Sequence, residues 1–458
     1  MGDRVIGGLA IAGRPIGQWA DLTGAPFVTV SPVGIAKGYP TNNGANYGPD
    51  TPGTTTCGIQ EAIDAMAGLG YAIVLLPGIF TVHDTITWQP TPASGGLAPV
   101  AIMGLTAVNS QGTAHGLGAE IQPASDFTPG DYIISVNASG SSDHVTGVTF
   151  RDFDIENLQS FAVKGIQVVN ANMASIANIH MTGVDVCFDV TSDSTVKFDY
   201  CIFDTPGTTV FSLNCPITHV TNCEVYGNTG SAAVFALGTK AGWIAVSDCQ
   251  FHGGAASPAF ATFETTNTTF AMSNSQVLDG AYTVLFSVAV SNATPAILLA
   301  DCSLANYDAI FDVGSGTSNS FFYAYLSNCY GTGLTGANLY STTTPNVGCT
   351  LYWNKGRIQF TTLNPPGNSL KSTSFTDVVG VNHLGYSVNT PSVASQANGK
   401  PYDVIIRFLT ASSASYVITD QTNTSGSSTP ILAGGSVLLR PGEYIALTGT
   451  LTWEWYGL

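Results

Sequence analysis

At 458 residues the chain is too long for one compact core, so it is either several domains or an array that grows along an axis. Only 9% of its residues are Asp, Glu, Lys or Arg, yet no apolar run reaches the ~18 residues that cross a bilayer, and membrane insertion is not expected. A net charge of −17 with 13 Lys plus Arg excludes the clustered cations that phosphate backbones demand, so nucleic acid is not an expected partner.

Fifty-one Gly together with abundant Thr, Val and Phe point to many short strands joined by tight turns, an all-β chain. Residues 1–50 read as an N-terminal extension. Met1-Gly2-Asp3-Arg4 and the Gly-broken apolar stretch behind it lack the basic and continuous apolar regions of a secretory signal, so export by that route is not expected. An amphipathic helix is predicted over about 56–68, ended by Gly68 and Gly70, and Ala72-Ile-Val-Leu-Leu-Pro77-Gly78-Ile-Phe80 follows as strand and turn.

Further along, Arg151-Asp152-Phe-Asp154-Ile-Glu156 alternates as a strand would, which puts three carboxylates on one face beside Arg151. A solvated face, a calcium site and an acid–base pair are all open there.

From residue 176 a repeat takes over: aliphatic, any, Asn or Asp, small, any, apolar. It reads Ile176-Ala-Asn178-Ile179-His-Met181, Val220-Thr-Asn222-Cys223-Glu-Val225, Val246-Ser-Asp248-Cys249-Gln-Phe251, Met272-Ser-Asn274-Ser275-Gln-Val277, Leu299-Ala-Asp301-Cys302-Ser-Leu304 and Leu326-Ser-Asn328-Cys329, while Phe198-Asp-Tyr200-Cys201-Ile-Phe203 keeps the apolar places and loses the Asn. Copies lie 22 to 27 residues apart. A second row, Phe188, Phe211, Phe235, Phe260, Phe286, Phe311 and Tyr340, recurs once per coil.

This period is that of a right-handed parallel β-helix of three-strand coils over 51–360, in which equivalent residues of successive coils stack about 4.8 Å apart. Cys201, Cys223, Cys249, Cys302 and Cys329 then form an inward row of small residues, and Asn178, Asn222, Asn274 and Asn328 a row at a turn, where Asn tolerates left-handed backbone. Nine Cys is an odd number and no Cys-x-x-Cys pair occurs, so the Cys row reads as core packing and neither a metal nor a cofactor is expected.

Residues flanking each inward position face out and form two columns. The first runs His180, Ile202, Glu224, Gln250, Gln276, Ser303; the second runs Thr182, Asp204, Tyr226, His252, Leu278, Ala305. Asp204, Glu224 and His252 are the candidate catalytic residues: two carboxylates on neighbouring coils at a separation suited to glycoside hydrolysis, with an imidazole to carry a proton. Tyr226 and Gln250 are the candidate sugar contacts beside them.

Residues 361–399 read as a linker and 400–458 as a small β-sandwich-like module, with alternating strands over 402–409, 415–419 and 436–440 and an ending of Pro441-Gly442-Glu-Tyr444 and Trp453-Glu-Trp455-Tyr456. Trp453 and Trp455 are candidates for stacking on a sugar, with packing inside the module as the alternative.

The helix followed by a strand ending in Pro-Gly-x-aromatic, and then by the coils, resembles the opening of the pectate-lyase superfamily and of phage tailspikes. The resemblance implies that the helix caps the apolar end of the β-helix. It covers about 50–360 and is specific for fold, a fold that hosts lyases, hydrolases, epimerases and inert adhesins. The lyases of this fold use a cationic base beside acidic calcium ligands, whereas the coils up to residue 350 hold only Arg151, Lys164, Lys197 and Lys240; the Asn-Thr-Asp and Gly-His-Gly signatures of polygalacturonases are absent as well. The expected function is that of a tailspike-like glycan depolymerase of the hydrolase type. The alternatives are a non-catalytic adhesin or structural surface protein, and, third, a polysaccharide lyase or epimerase. Through the tailspike resemblance a homotrimer is expected, extracellular or on a virion surface, with a polysaccharide or cell-surface glycan as partner.

Overall fold

The fold is described from a computed structural model, which covers residues 27–33, 45–66, 72–88, 100–105, 118–137, 145, 147–228, 233–253, 257–264, 267–278, 282–288, 295–312, 321–332, 338–340, 348–359, 370–380, 395–398, 403–419 and 427–457. It is a parallel β-solenoid with one short helix and a small antiparallel sheet near the C-terminus. By its internal contacts the chain divides into two units, Met1–Thr265 with Ser275–Gly280 and Thr266–Asn274 with Ala281–Leu458.

In the first unit the helix Ile59–Met66 buries Ile59, Ala62 and Ile63. Thr54 and Thr56 cap its start through their hydroxyls, which accept from the Gly58 and Gln60 amides at 2.7 and 2.9 Å. Gln60 then binds the strand Ile86–Trp88 from both sides of its amide, accepting from Thr87 N–H at 2.7 Å and donating to Thr87 C=O at 2.8 Å. Gly58 sits at φ +86°, and a Cβ there would run into the backbone of Gly48.

The turn that starts each short outward-column strand has one backbone solution. Asn178, Tyr200, Asn222 and Asp248 in the first unit all lie at φ between 52° and 57°. Asn274, Asp301 and Asn328 in the second lie between 48° and 53°. This left-handed conformation is the reason for the Asn and Asp of the repeat. Side-chain bonds tie these turns to the preceding coil: Asn178 and Asn328 donate to Asp152 and Asp301 at 2.9 and 2.7 Å. Asn222 reaches Asp199 at 3.0 Å, because Tyr200 has no carboxylate to offer.

All five Cys of the row are free and buried. Each thiol donates back to the carbonyl two residues earlier, at 3.6 Å for Cys201, 3.2 Å for Cys223, 3.1 Å for Cys249, 3.2 Å for Cys302 and 3.4 Å for Cys329. The row therefore closes the left-handed turn and fills the core with a single small side chain. The Ser275 hydroxyl stands in the same row and accepts from the Cys249 amide at 3.1 Å.

The six Phe of the aromatic row are interior too. Phe188 and Phe211 stack with centroids 6.3 Å apart, and Phe211 and Phe235 at 5.0 Å. At the next coil the register moves by one, Phe235 pairing with Ala261, so Phe260 meets Phe235 edge-on at 5.4 Å. In the second unit Phe286 pairs with Phe311, and Phe311 with Tyr340.

The terminal module is a five-stranded antiparallel sheet. Where the sequence predicts separate strands over 402–409 and 415–419, one strand, Val404–Thr419, runs through and pairs with Tyr444–Gly457. Two register shifts absorb the polar residues between them, with Ser413 at φ 51° and Gly449 at φ 93° facing each other across the ribbon. Val404, Ile406, Phe408, Leu439, Ile445 and Trp453 form its core.

Candidate functional site

In the short strand of each coil the inward places are apolar and buried: Phe153 and Ile155, Ile179 and Met181, Cys201 and Phe203, Cys223 and Val225, Cys249 and Phe251. The residues between them stack coil on coil. The pairings Glu120 with Asp154, Asp154 with His180, His180 with Ile202, Ile202 with Glu224, Glu224 with Gln250 and Gln250 with Gln276 make the first column. Glu156 with Thr182, Thr182 with Asp204 and Asp204 with Tyr226 make the second. The columns run as the sequence places them as far as Tyr226, where a register shift breaks the second before His252; toward the N-terminus the first gains two coils and the second one.

At the open end the Tyr226 phenol donates to Glu224 at 2.6 Å, and the Tyr226 and His252 rings stack 4.9 Å apart at 14°. The bond to the Glu224 carboxylate, together with partial burial, pushes the Tyr226 phenol up to about 12. Gly227, at φ 63°, opens a bulge directly after Tyr226 and interrupts the pairing with Gln250–Gly253. Gln250 is exposed on the next coil. Asp204, Glu224, Tyr226, His252 and Gln250 are thus brought together on three consecutive coils.

The other end is closed. His180, only 7% exposed, donates from Nε2 to Asp204 at 2.8 Å, and its Nδ1 faces Asp154 at 3.9 Å. Burial opposes a charge on this imidazole, but the bond to Asp204 and the fields of Asp154, Asp204 and Glu156 outweigh it and raise its pKa. One coil back, the Gln122 amide donates to both Glu120 and Glu156, the second bond at 2.8 Å. Glu120 is fully buried, and among the described residues its Oε2 lacks a hydrogen-bond donor. Desolvation first, and then the bond and charge of Glu156, push its carboxyl up to about 7. A proton on Glu120, donated toward Glu156, resolves that arrangement, since two facing carboxylates cannot both ionise cheaply.

Asp152 departs from the expectation for 151–156. It lies in the left-handed turn at φ 63°, held by Arg151 at 2.6 Å and by Asn178, so only Asp154 and Glu156 share the column face. Phe150-Arg-Asp152-Phe153-Asp-Ile155 is a further copy of the repeat, with Phe in the small place, and it puts Asp154 and Glu156 in the same two columns.

Trp453 is 4% exposed and belongs to the core of the terminal sheet, so packing is its place rather than a sugar-facing surface. The backbone of Trp455 pairs with Ile406. Among the described residues no group of three or more His, Cys, Asp or Glu is disposed to hold a metal ion, and no helix is long and apolar enough to cross a membrane.

No protein-family model matches the chain, and no curated protein matches it. The chain is similar to solved phage tailspikes. The tailspike of Acinetobacter phage vB_ApiP_P1 is 11% identical at a TM-score of 0.42, the match covering 95% of this chain and 87% of that one. The tailspike gp49 of Acinetobacter baumannii bacteriophage Fri1, described as a capsular polysaccharide depolymerase, is 11% identical at 0.41, over 94% and 86%. A variant of the tailspike of E. coli bacteriophage HK620, solved in complex with a pentasaccharide, is 10% identical at 0.42, over 94% and 93%.

Proposed function

We propose that the chain is a tailspike-like depolymerase that hydrolyses a polysaccharide on the face bearing Asp204 and Glu224, and that it acts as a homotrimer on a virion or other extracellular surface. The observation that carries this reading is the alignment of two carboxylates on paired strands with a stacked Tyr226–His252 pair immediately beside them. Asp204 and Glu224 serve as the acid–base pair, His252 relays a proton, and Tyr226 and Gln250 hold the sugar. A row of polar groups across successive coils suits a polymer, because each coil adds a further contact at about the spacing of the strands.

The second reading, a glycan adhesin that does not cut, is favoured by Tyr323, Tyr325 and Tyr352 of the second unit. All three are exposed, and Tyr325 and Tyr352 stack 5.1 Å apart at 16°.

The deciding experiment is reducing-end release from neutral and acidic polysaccharides at pH 3 to 8, read beside ultraviolet absorbance, for the wild type and the Asp204→Asn/Glu224→Gln double variant. Release by the wild type alone, without new absorbance, supports hydrolysis at this face. Release by both proteins moves the chemistry elsewhere; release with absorbance indicates a lyase. Retention without release favours the adhesin.

A further inference from the structure

We propose that His180 is the positioning residue of this site: set between Asp154 and Asp204, it holds the Asp204 carboxylate in its working orientation, and Asp154 keeps it able to do so. The inference rests on the reading of Asp204 and Glu224 as the acid–base pair.

Three coils contribute one side chain each, Asp154, His180 and Asp204, and the polar contacts run along the solenoid axis, the direction in which coil spacing is fixed by the ladder. A carboxylate on a flexible Asp side chain has two free torsions; a hydrogen bond of 2.8 Å from a buried ring removes most of that freedom. Thr182 adds its hydroxyl to the same ring nitrogen at 3.3 Å and narrows the ring's own choice of orientation. His180 reaches the acid–base pair through Asp204, and its burial keeps it from the substrate.

The groups facing the ring are Asp154 from the preceding coil, Asp204 from the following one, Thr182 on its own strand, and Glu156 through its field. All the charged ones are acidic, so they favour the imidazolium, and removing one lowers the pH at which His180 loses its proton. The sign follows: the charged clamp on Asp204 is complete at low pH and is lost as pH rises through the raised pKa of His180.

The test combines two readouts on the full chain. The first is the titration midpoint of His180 from ring carbon-13 spectra, assigned with His180→Gln. The second is the pH profile of glycan release. Asp154→Asn is the decisive variant, because it keeps shape and leaves Asp204, Glu224 and His252 untouched. The expected result is that Asp154→Asn lowers the His180 midpoint and moves the alkaline limb of kcat down by the same interval, with kcat on the acid plateau and KM within about twofold. His180→Gln is expected to remove that limb and reduce kcat on the order of 10²-fold at unchanged KM. An unmoved midpoint overturns the clamp, and a midpoint that moves while the limb stays put overturns its link to Asp204. A wild type that releases nothing overturns the hydrolytic reading and the positioning role with it, while the midpoint still reports whether the clamp exists.

Discussion

Two stretches of coil, 119–253 in the first unit and 296–358 in the second, share one interior and carry different exteriors. Both use left-handed Asn or Asp turns and thiols that bond back two residues, at Cys201, Cys223 and Cys249 in one and Cys302 and Cys329 in the other. On its outward columns the first carries Glu120, Asp154, Glu156, His180, Asp204 and Glu224, most of them engaged with one another and Glu120, Glu156 and His180 buried there, whereas the second shows Tyr323, Tyr325, Tyr330 and Tyr352, all exposed. The solenoid fixes what points in, because each interior residue must fit its copies above and below. What points out is free to vary, and the carboxylates that share His180 and Gln122 as partners lie in the first stretch.

Damage to the interior is expected to have the largest effect, and the same one in both stretches. Phe211→Ala removes a fully buried ring that packs on Phe188, Phe198, Phe203 and Phe235, and is expected to cost about 3–5 kcal/mol in chemical denaturation. An equal loss is expected for Phe311→Ala, since the interior rule is common to both stretches.

The next effect belongs to the first stretch only. The Glu120 carboxyl, raised in the fold to about 7, contributes stability that is whole below its unfolded value and is lost as pH rises through about 7. Unfolding midpoints of the wild type are expected to fall between pH 5 and 8 by the equivalent of a few kcal/mol at most, and those of Glu120→Gln to stay level across that range. A wild type that is flat there contradicts the shared proton.

Smaller again is the thiol row. Cys223→Ser keeps a donor for the Thr221 carbonyl and is expected to be near neutral, while Cys223→Ala leaves that bond unmade and costs about 1 kcal/mol. The smallest effect on stability is expected for Tyr325→Ala with Tyr352→Ala, within about 0.5 kcal/mol as for other surface changes, so any loss of glycan retention in that variant reads directly on binding.

The solenoid was legible because its rows repeat: a corner that is mostly Asn or Asp, a small residue that is mostly Cys behind it, and a Phe, each place being either buried or in a left-handed turn. The columns through Asp204, Glu224 and Tyr226 followed from the same register; His252 meets the Tyr226 ring across a bulge that the register does not show. Two things were hidden. The single strand Val404–Thr419 looks like two, because the bulge at Ser412–Ser413 breaks the alternation without breaking the pairing. The Glu120–Glu156 pair and the His180 clamp depend on which carboxylates are desolvated and how their side chains turn. Alternation says only that they face outward; the burial of Glu120 comes from its neighbours in space.

The most direct test of the account is a crystal structure of the Asp204→Asn/Glu224→Gln variant with an oligosaccharide released from its polysaccharide. The account predicts sugar rings along the columns from Thr182 to His252, one of them against Tyr226. An oligosaccharide seated only on Tyr325 and Tyr352, with the Asp204 face bare, would contradict it.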